Sequence, residues 1–174
     1  MIKMRIMRRL LSIIVFVLTV SISSFAQIQT SIHGLTLGKT TKKAAISIMQ
    51  RKGYNMEYNR GPYVCYKPIS FGGVTWSGVE ISFMENKVSS ITFQIIMGDV
   101  SKLTSFYDNI RTKLDKYSRY KTGSESGDFW HGRSEDYSDG VVSIHLRQTY
   151  ASSDLYLTYT YIKEDSSQVG AGEL

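Results

Sequence analysis

The sequence predicts an α+β protein in which two amphipathic helices pack on an antiparallel meander sheet. Apolar residues recur at three- and four-residue steps in two windows, near 41–52 and 100–117. Strict alternation of apolar and polar residues runs through 79–95 and again through 142–161, which is the period of strands with one buried face. Short clusters of Gly, Asn, Asp and Ser separate the alternating runs, as they do in a meander.

In chain order, Ile32 to Leu37 is a short apolar lead-in. Thr40 is placed to cap a helix over about 41–52, in which Ala44, Ala45, Ile48 and Met49 share a face. Arg51 and Lys52 suit the negative end of its dipole, and Gly53 follows at the position that needs left-handed backbone. Extended segments are predicted at 54–58 and 63–69 around the turn Asn59-Arg60-Gly61-Pro62, and Gly72-Gly73 marks another turn. The strongest hairpin sets Val79, Ile81 and Phe83 against Ile91, Phe93 and Ile95, with Glu85-Asn86 at the turn. Asp99 then caps a second helix whose stripe is Val100, Leu103, Tyr107, Ile110, Leu114 and Tyr117.

Thr122 to Gly127 (TGSESG) reads as a flexible loop, 128–133 as a short strand with Phe129 and Trp130, and Glu135 to Gly140 (EDYSDG) as an acidic turn. Strands are expected at 141–150 and 154–163, with Ser152-Ser153 between them, followed by a frayed polar tail over 164–174. Division at Gly98 gives halves 34–97 and 98–163, each a helix followed by strands, the order a tandem α-β repeat would produce.

Residues 1–26 have the layout of an export signal. Lys3, Arg5, Arg8 and Arg9 precede an apolar run, Leu10 to Val20, and the small residues Ser24 and Ala26 place a cleavage before Gln27. The run is shorter than the roughly 20 apolar residues of a membrane-spanning helix. No cysteine follows it to carry a lipid. Cleavage changes the charge: four of the 21 basic and none of the 15 acidic residues lie in 1–26, which leaves 17 against 15. The basic balance of the whole chain is therefore largely the leader's, and it is not a nucleic-acid footprint. The expected product is a single domain over 27–163, periplasmic or secreted. It has one cysteine, Cys65, which is read as a buried structural thiol.

The segment Gly34-Leu35-Thr36-Leu37-Gly38-Lys39-Thr40, leading into a helix that ends in Lys52-Gly53-Tyr54, resembles the opening of small exported bacterial helix-plus-meander domains. The β-lactamase inhibitor protein and the SmpA/OmlA outer-membrane assembly lipoproteins are of that kind. The resemblance covers 34–97, and 98–163 by pattern only. It implies a protein that acts by binding other proteins. This chain lacks both the lipidated cysteine of the lipoproteins and the disulfides of the inhibitors.

Tests for chemistry give little. His33, His131 and His145 have no metal-ligand spacing between them or toward Cys65, and no cofactor is predicted. His145, between Ile144 and Leu146, is expected on the polar side of its strand. Gly34 to Thr40 is one residue short of a phosphate-binding loop. Glu135, Asp136 and Asp139 crowd the expected acidic turn and are read as solvated. What stands out is tyrosine on strands, where alternation sends some rings to the open face. The expected binding surface is Tyr58, Tyr63, Tyr66, Trp130, His131 and Tyr156, for a protein or envelope partner and without enzymatic activity. The alternative is a small hydrolase or ligand-binding domain whose site assembles only in three dimensions, with His131 beside a carboxylate.

Overall fold

The computed structural model describes residues 27–127 and 132–162. The leader, the tail beyond Ile162, and Trp130 and His131 with most of the strand expected at 128–133 lie outside the described residues. Among the described residues, two helices and an antiparallel sheet make it an α+β protein. No helix among the described residues is long and apolar enough to cross a membrane.

A small hairpin, β1 (Ser31–Ile32) and β2 (Leu35–Thr36), precedes helix α1 (Lys42–Arg51). The cap is Thr41, whose hydroxyl accepts from Ala44 N–H at 3.4 Å. Thr40, the expected cap, is already engaged, because its Oγ1 accepts from Thr36 N–H at 2.8 Å. The far end closes as read. Gly53 takes φ +77°, its N–H donates to Gln50 C=O at 2.9 Å, and Tyr54 N–H donates to Met49 C=O at 3.2 Å. Those two bonds satisfy carbonyls that the helix itself leaves open.

Strands β3 (Met56–Arg60) and β4 (Tyr63–Tyr66) turn at Gly61-Pro62. The extended run expected over 63–69 breaks after Tyr66, before Pro68, whose nitrogen has no hydrogen to donate to a ladder. A separate two-stranded ribbon follows, β5 (Ile69–Phe71) and β6 (Val74–Trp76), turned at Gly72-Gly73. Hairpin β7 (Gly78–Met84) and β8 (Lys87–Ile96) turns at Glu85-Asn86, both in left-handed backbone, the turn that matches the twist of its strands.

Helix α2 (Val100–Leu114) is capped by Asp99, which accepts from Lys102 N–H at 3.1 Å. Its stripe continues to Tyr117 through a tighter 3-10 segment, Asp115–Tyr120. Strands β9 (Lys121–Ser126), β10 (Arg133–Ser138), β11 (Val142–Thr149) and β12 (Asp154–Tyr161) complete the chain.

Two sequence expectations are corrected here. The TGSESG loop is edge strand β9, because backbone pairing with β10 outweighs a composition that would otherwise stay irregular. EDYSDG is mostly strand β10, and the turn begins only at Asp139, whose carboxylate accepts from Val141 and Val142 N–H at 3.0 and 2.8 Å. Alternation along β10 buries Glu135 and Tyr137 and sends Asp136 to the other face.

The main sheet has eight strands in the order β3-β4-β7-β8-β12-β11-β10-β9, every neighbouring pair antiparallel. The four strands of 56–96 and the four of 121–161 meet at the β8–β12 pair, so each half runs inward from its own edge to the centre. One row crosses the whole sheet on its covered face: Met56, Tyr66, Val79, Phe93, Leu157, Leu146, Glu135, Ser124. Both helices, the opening hairpin and the β5–β6 ribbon pack on this side. Lys42 of α1 lies over the Phe83 ring, Trp76 of the ribbon over Phe93, and Thr104 of α2 bonds Gln148. Ile32, Leu35, Ala45, Met49, Leu103 and Ile110 join the core formed there.

Candidate functional site: the open face of the sheet

The opposite face carries the outward residues of the same strands. Its central row reads Tyr58, Cys65, Glu80, Thr92, Thr158, His145, Asp136, Gly123. Its side chains pair across strands, as neighbours on one face of a sheet do. Tyr58 O–H donates to Glu80 Oε2 at 2.5 Å, the Thr92 and Thr158 hydroxyls lie 3.2 Å apart, and His145 Nδ1 lies 2.5 Å from Asp136 Oδ1. In the next row Gln94 Nε2 donates to the Tyr156 hydroxyl at 3.0 Å, and Tyr156 O–H donates to Asp154 at 3.2 Å. The centre of this face is thus a lattice of hydroxyl, amide and carboxylate groups held by each other.

The electrostatics follow from those partners. The bond to Glu80, with partial burial, raises the Tyr58 phenol above its ordinary value, so it stays a neutral donor. Burial, with lesser help from Asp154, raises Tyr156. Cys65 is buried, its S–H donates to Glu57 at 3.4 Å, and burial chiefly pushes its thiol up to about 11. A thiol held protonated is not a nucleophile at neutral pH. The adjoining Glu57 is held low mainly by its 2.8 Å bond from Lys67.

Of the six tyrosine, tryptophan and histidine residues expected on a binding surface, three share this face. Tyr63, in register with Ser82, is 45% exposed, while Tyr58 and Tyr156 are half-buried and hydrogen-bonded. Tyr66 is corrected: it is fully buried on the other side, beside Val79, and belongs to the core. The alternation Val64-Tyr66 against Tyr63-Cys65 dictates this once the register is known. Trp130 and His131 lie outside the described residues. Sequence reading missed Glu80, Thr92, Thr158 and the His145–Asp136 pair as members of this surface. Asp136 was hidden because its segment resembled a turn, and polar strand residues carry no signal of their own until pairing places them side by side.

The three carboxylates expected in one acidic turn are separated. Glu135 is buried under the sheet with Lys121 and Arg111, Asp136 is on the open face, and Asp139 is spent on the turn. Among the described residues no three of His, Cys, Asp and Glu converge on a metal position. A triad would place a hydroxyl on the second nitrogen of His145, and none of the described residues bonds it there. The Gly34–Thr40 segment is no phosphate cradle. Thr36, Leu37, Gly38, Lys39 and Thr40 all donate their N–H groups to acceptors within the fold. Gly38 is required instead by packing: at φ +72°, a Cβ there would lie 2.8 Å from the Tyr161 ring.

The fold and this face define an α+β protein with one covered and one open sheet face. No family model and no curated protein matches the chain. Among solved structures, it is similar to the crystal structure of a DUF4309 family protein, YjgB, from Bacillus subtilis subsp. subtilis strain 168. The identity is 15% and the TM-score 0.45, over 74% of this chain and 82% of that one.

Proposed function

We propose that the protein is exported, loses residues 1–26, and works as a non-enzymatic binding module that engages a protein or envelope component through the open face of its sheet. The observation that carries this reading is the difference between the two faces. All described elements outside the sheet pack on one side, while eight strands present their other side with ordered polar groups and tyrosines. At about 4.8 Å between strands, the eight span roughly 34 Å. That width suits a standard interface of about 800 Å² per partner. Tyrosines that bring a large apolar ring and a held hydroxyl are suited to such contacts.

The test has two parts. Cells expressing the full reading frame should yield a protein whose N-terminal residue is Gln27, read by mass spectrometry of the envelope or medium fraction. That protein should retain a reproducible partner from an envelope extract, and the variant Thr92→Arg/Thr158→Arg, which plants two charges at the centre of the face, should lose it. Retention that is equal for both proteins removes the open face as the binding surface.

A further inference from the structure

A second feature lies on the covered side, away from the surface just described. A cavity of about 340 Å³ opens between the β5–β6 ribbon, α2 and the sheet. Its floor is Leu157, one wall is Val74 and Trp76, and the other is Ile110 and Leu114, with Tyr117 at the end of the stripe. These residues are buried, while Gln29, Gly72, Lys113 and Lys116 at the rim are exposed, so the cavity is a cleft that opens from the core layer to the surface. Its size and lining are those of a small-molecule site, since an apolar cavity of about 150 Å³ already accepts a benzene ring.

The charged groups at its mouth are of one sign. The exposed side chains of Lys113 and Lys116, from the last turn of α2 and the 3-10 segment, line it. Lys113 Nζ donates to Gly72 C=O at the ribbon's turn at 2.5 Å, which leaves two of its three N–H donors for a ligand. Lys116 Nζ sits 4.8 Å from the Tyr117 ring centroid, and neither ammonium forms an ion pair among the described residues. Burial raises the Tyr159 phenol that also lines the cleft, so the wall contributes no negative charge to oppose an anion. An apolar pocket closed by two ammonium groups matches a molecule with a long apolar body and one anionic end.

We propose that this cleft binds a free medium-chain fatty acid, with its chain between the β5–β6 ribbon and α2 and its carboxylate on Lys113 and Lys116. The ribbon then has a role as one wall of a ligand site, with a hydrogen bond from Lys113 of α2 to Gly72 at its turn.

The probe is decanoate, titrated against the protein expressed from its full reading frame and purified as the cells process it. A Trp130→Phe background leaves Trp76, in the cavity wall, as the reporting indole. Decanoate should change its fluorescence saturably and raise the melting temperature. Lys113→Ala/Lys116→Ala should weaken decanoate at least tenfold and leave decanol unchanged. Val74→Phe, which narrows the cleft without adding an indole, should weaken both if its circular dichroism is native; if it does not fold, the lysine pair alone decides. Decanol or decyltrimethylammonium binding as tightly as decanoate overturns the proposal. So does a decanoate response that is not saturable or is untouched in the lysine variant, or an equal response to phosphatidylglycerol vesicles without free acid.

Discussion

The two halves of the sheet put different chemistry at corresponding places. Two strands out from the central β8–β12 pair, on the covered face, the first half holds Tyr66 and the second holds Glu135, and both are buried. Tyr66 fills its position with an aromatic ring in the apolar core. Glu135 sits beside Lys121 of the edge strand and 3.9 Å from Arg111 of α2. One half closes its flank by burying apolar surface, the other by neutralising a charge. The difference teaches that the architecture needs the position filled, not filled with a particular residue class or fully hydrogen-bonded: the buried Tyr66 hydroxyl has no hydrogen-bond partner among the described residues.

The largest way to break that comparison is to empty the first position. Tyr66→Ala removes a fully buried ring and should cost about 3–5 kcal/mol, the range for large aromatic deletions in cores. Glu135→Ala should cost under about half of that. Its cationic partners are themselves partly exposed and return to water when the carboxylate is lost. Lys121→Ala is the sharper probe of the second half, since it leaves the carboxylate buried with Arg111 as its remaining ion-pair partner among the described residues, at a cost of about 1–3 kcal/mol. Urea unfolding of the three variants measures all of this. Equal losses for Tyr66→Ala and Glu135→Ala would mean that the two flanks are held in the same way.

A smaller difference separates the two helix starts. Asp99 caps α2 with a 3.1 Å bond and a charge favourable to the positive end of the helix. Thr41 caps α1 through a longer, 3.4 Å bond and no charge. Asp99→Ala should therefore destabilise by about 1 kcal/mol and Thr41→Ala by about half of that or less. The same unfolding curves rank them, and a larger loss at Thr41 than at Asp99 would overturn that order.

How much of this was legible in the sequence depends on the kind of residue. The two helices, the β7–β8 hairpin and the inward rows of β11 and β12 announce themselves because apolar periodicity survives in them. Strand β9 does not, since Lys121 to Ser126 has no apolar residue and is held by its backbone ladder and the Lys121–Glu135 ion pair. Strand β10 is hidden by its own exception: the buried charge at Glu135 breaks the alternation that would have marked it. Tyr66 was misplaced because a tyrosine suits either face, and only register decides. The polar lattice of the open face was invisible for the same reason, as Thr92 meets Thr158 across 66 residues of chain.

The finest contrast, between the opening hairpin and the second half, is in their response to pH. His33, in the opening hairpin, is held below its ordinary value chiefly by burial and secondly by Lys52. The fold therefore keeps it neutral, and below about pH 6.5 the unfolded chain takes up a proton that the folded one resists. Its contribution is present above that pH and is lost as the pH falls through the lowered value. Tyr137, in the second half, is pushed up to about 12 by burial and by Glu135. Its contribution is full below about pH 10 and fades as the pH climbs toward the raised value. Stability measured by urea from pH 5 to 11 should thus fall at both ends. His33→Asn, a non-titrating residue that tolerates the left-handed backbone found there, should flatten the acid side alone. Tyr137→Phe should flatten part of the alkaline side, since Tyr107 and Tyr159 are also raised by burial and keep their own share. An acid slope unchanged in His33→Asn would show that His33 is not its source, and it could not come from Glu57 or Asp99, whose lowered carboxylates lose their contributions only below that window.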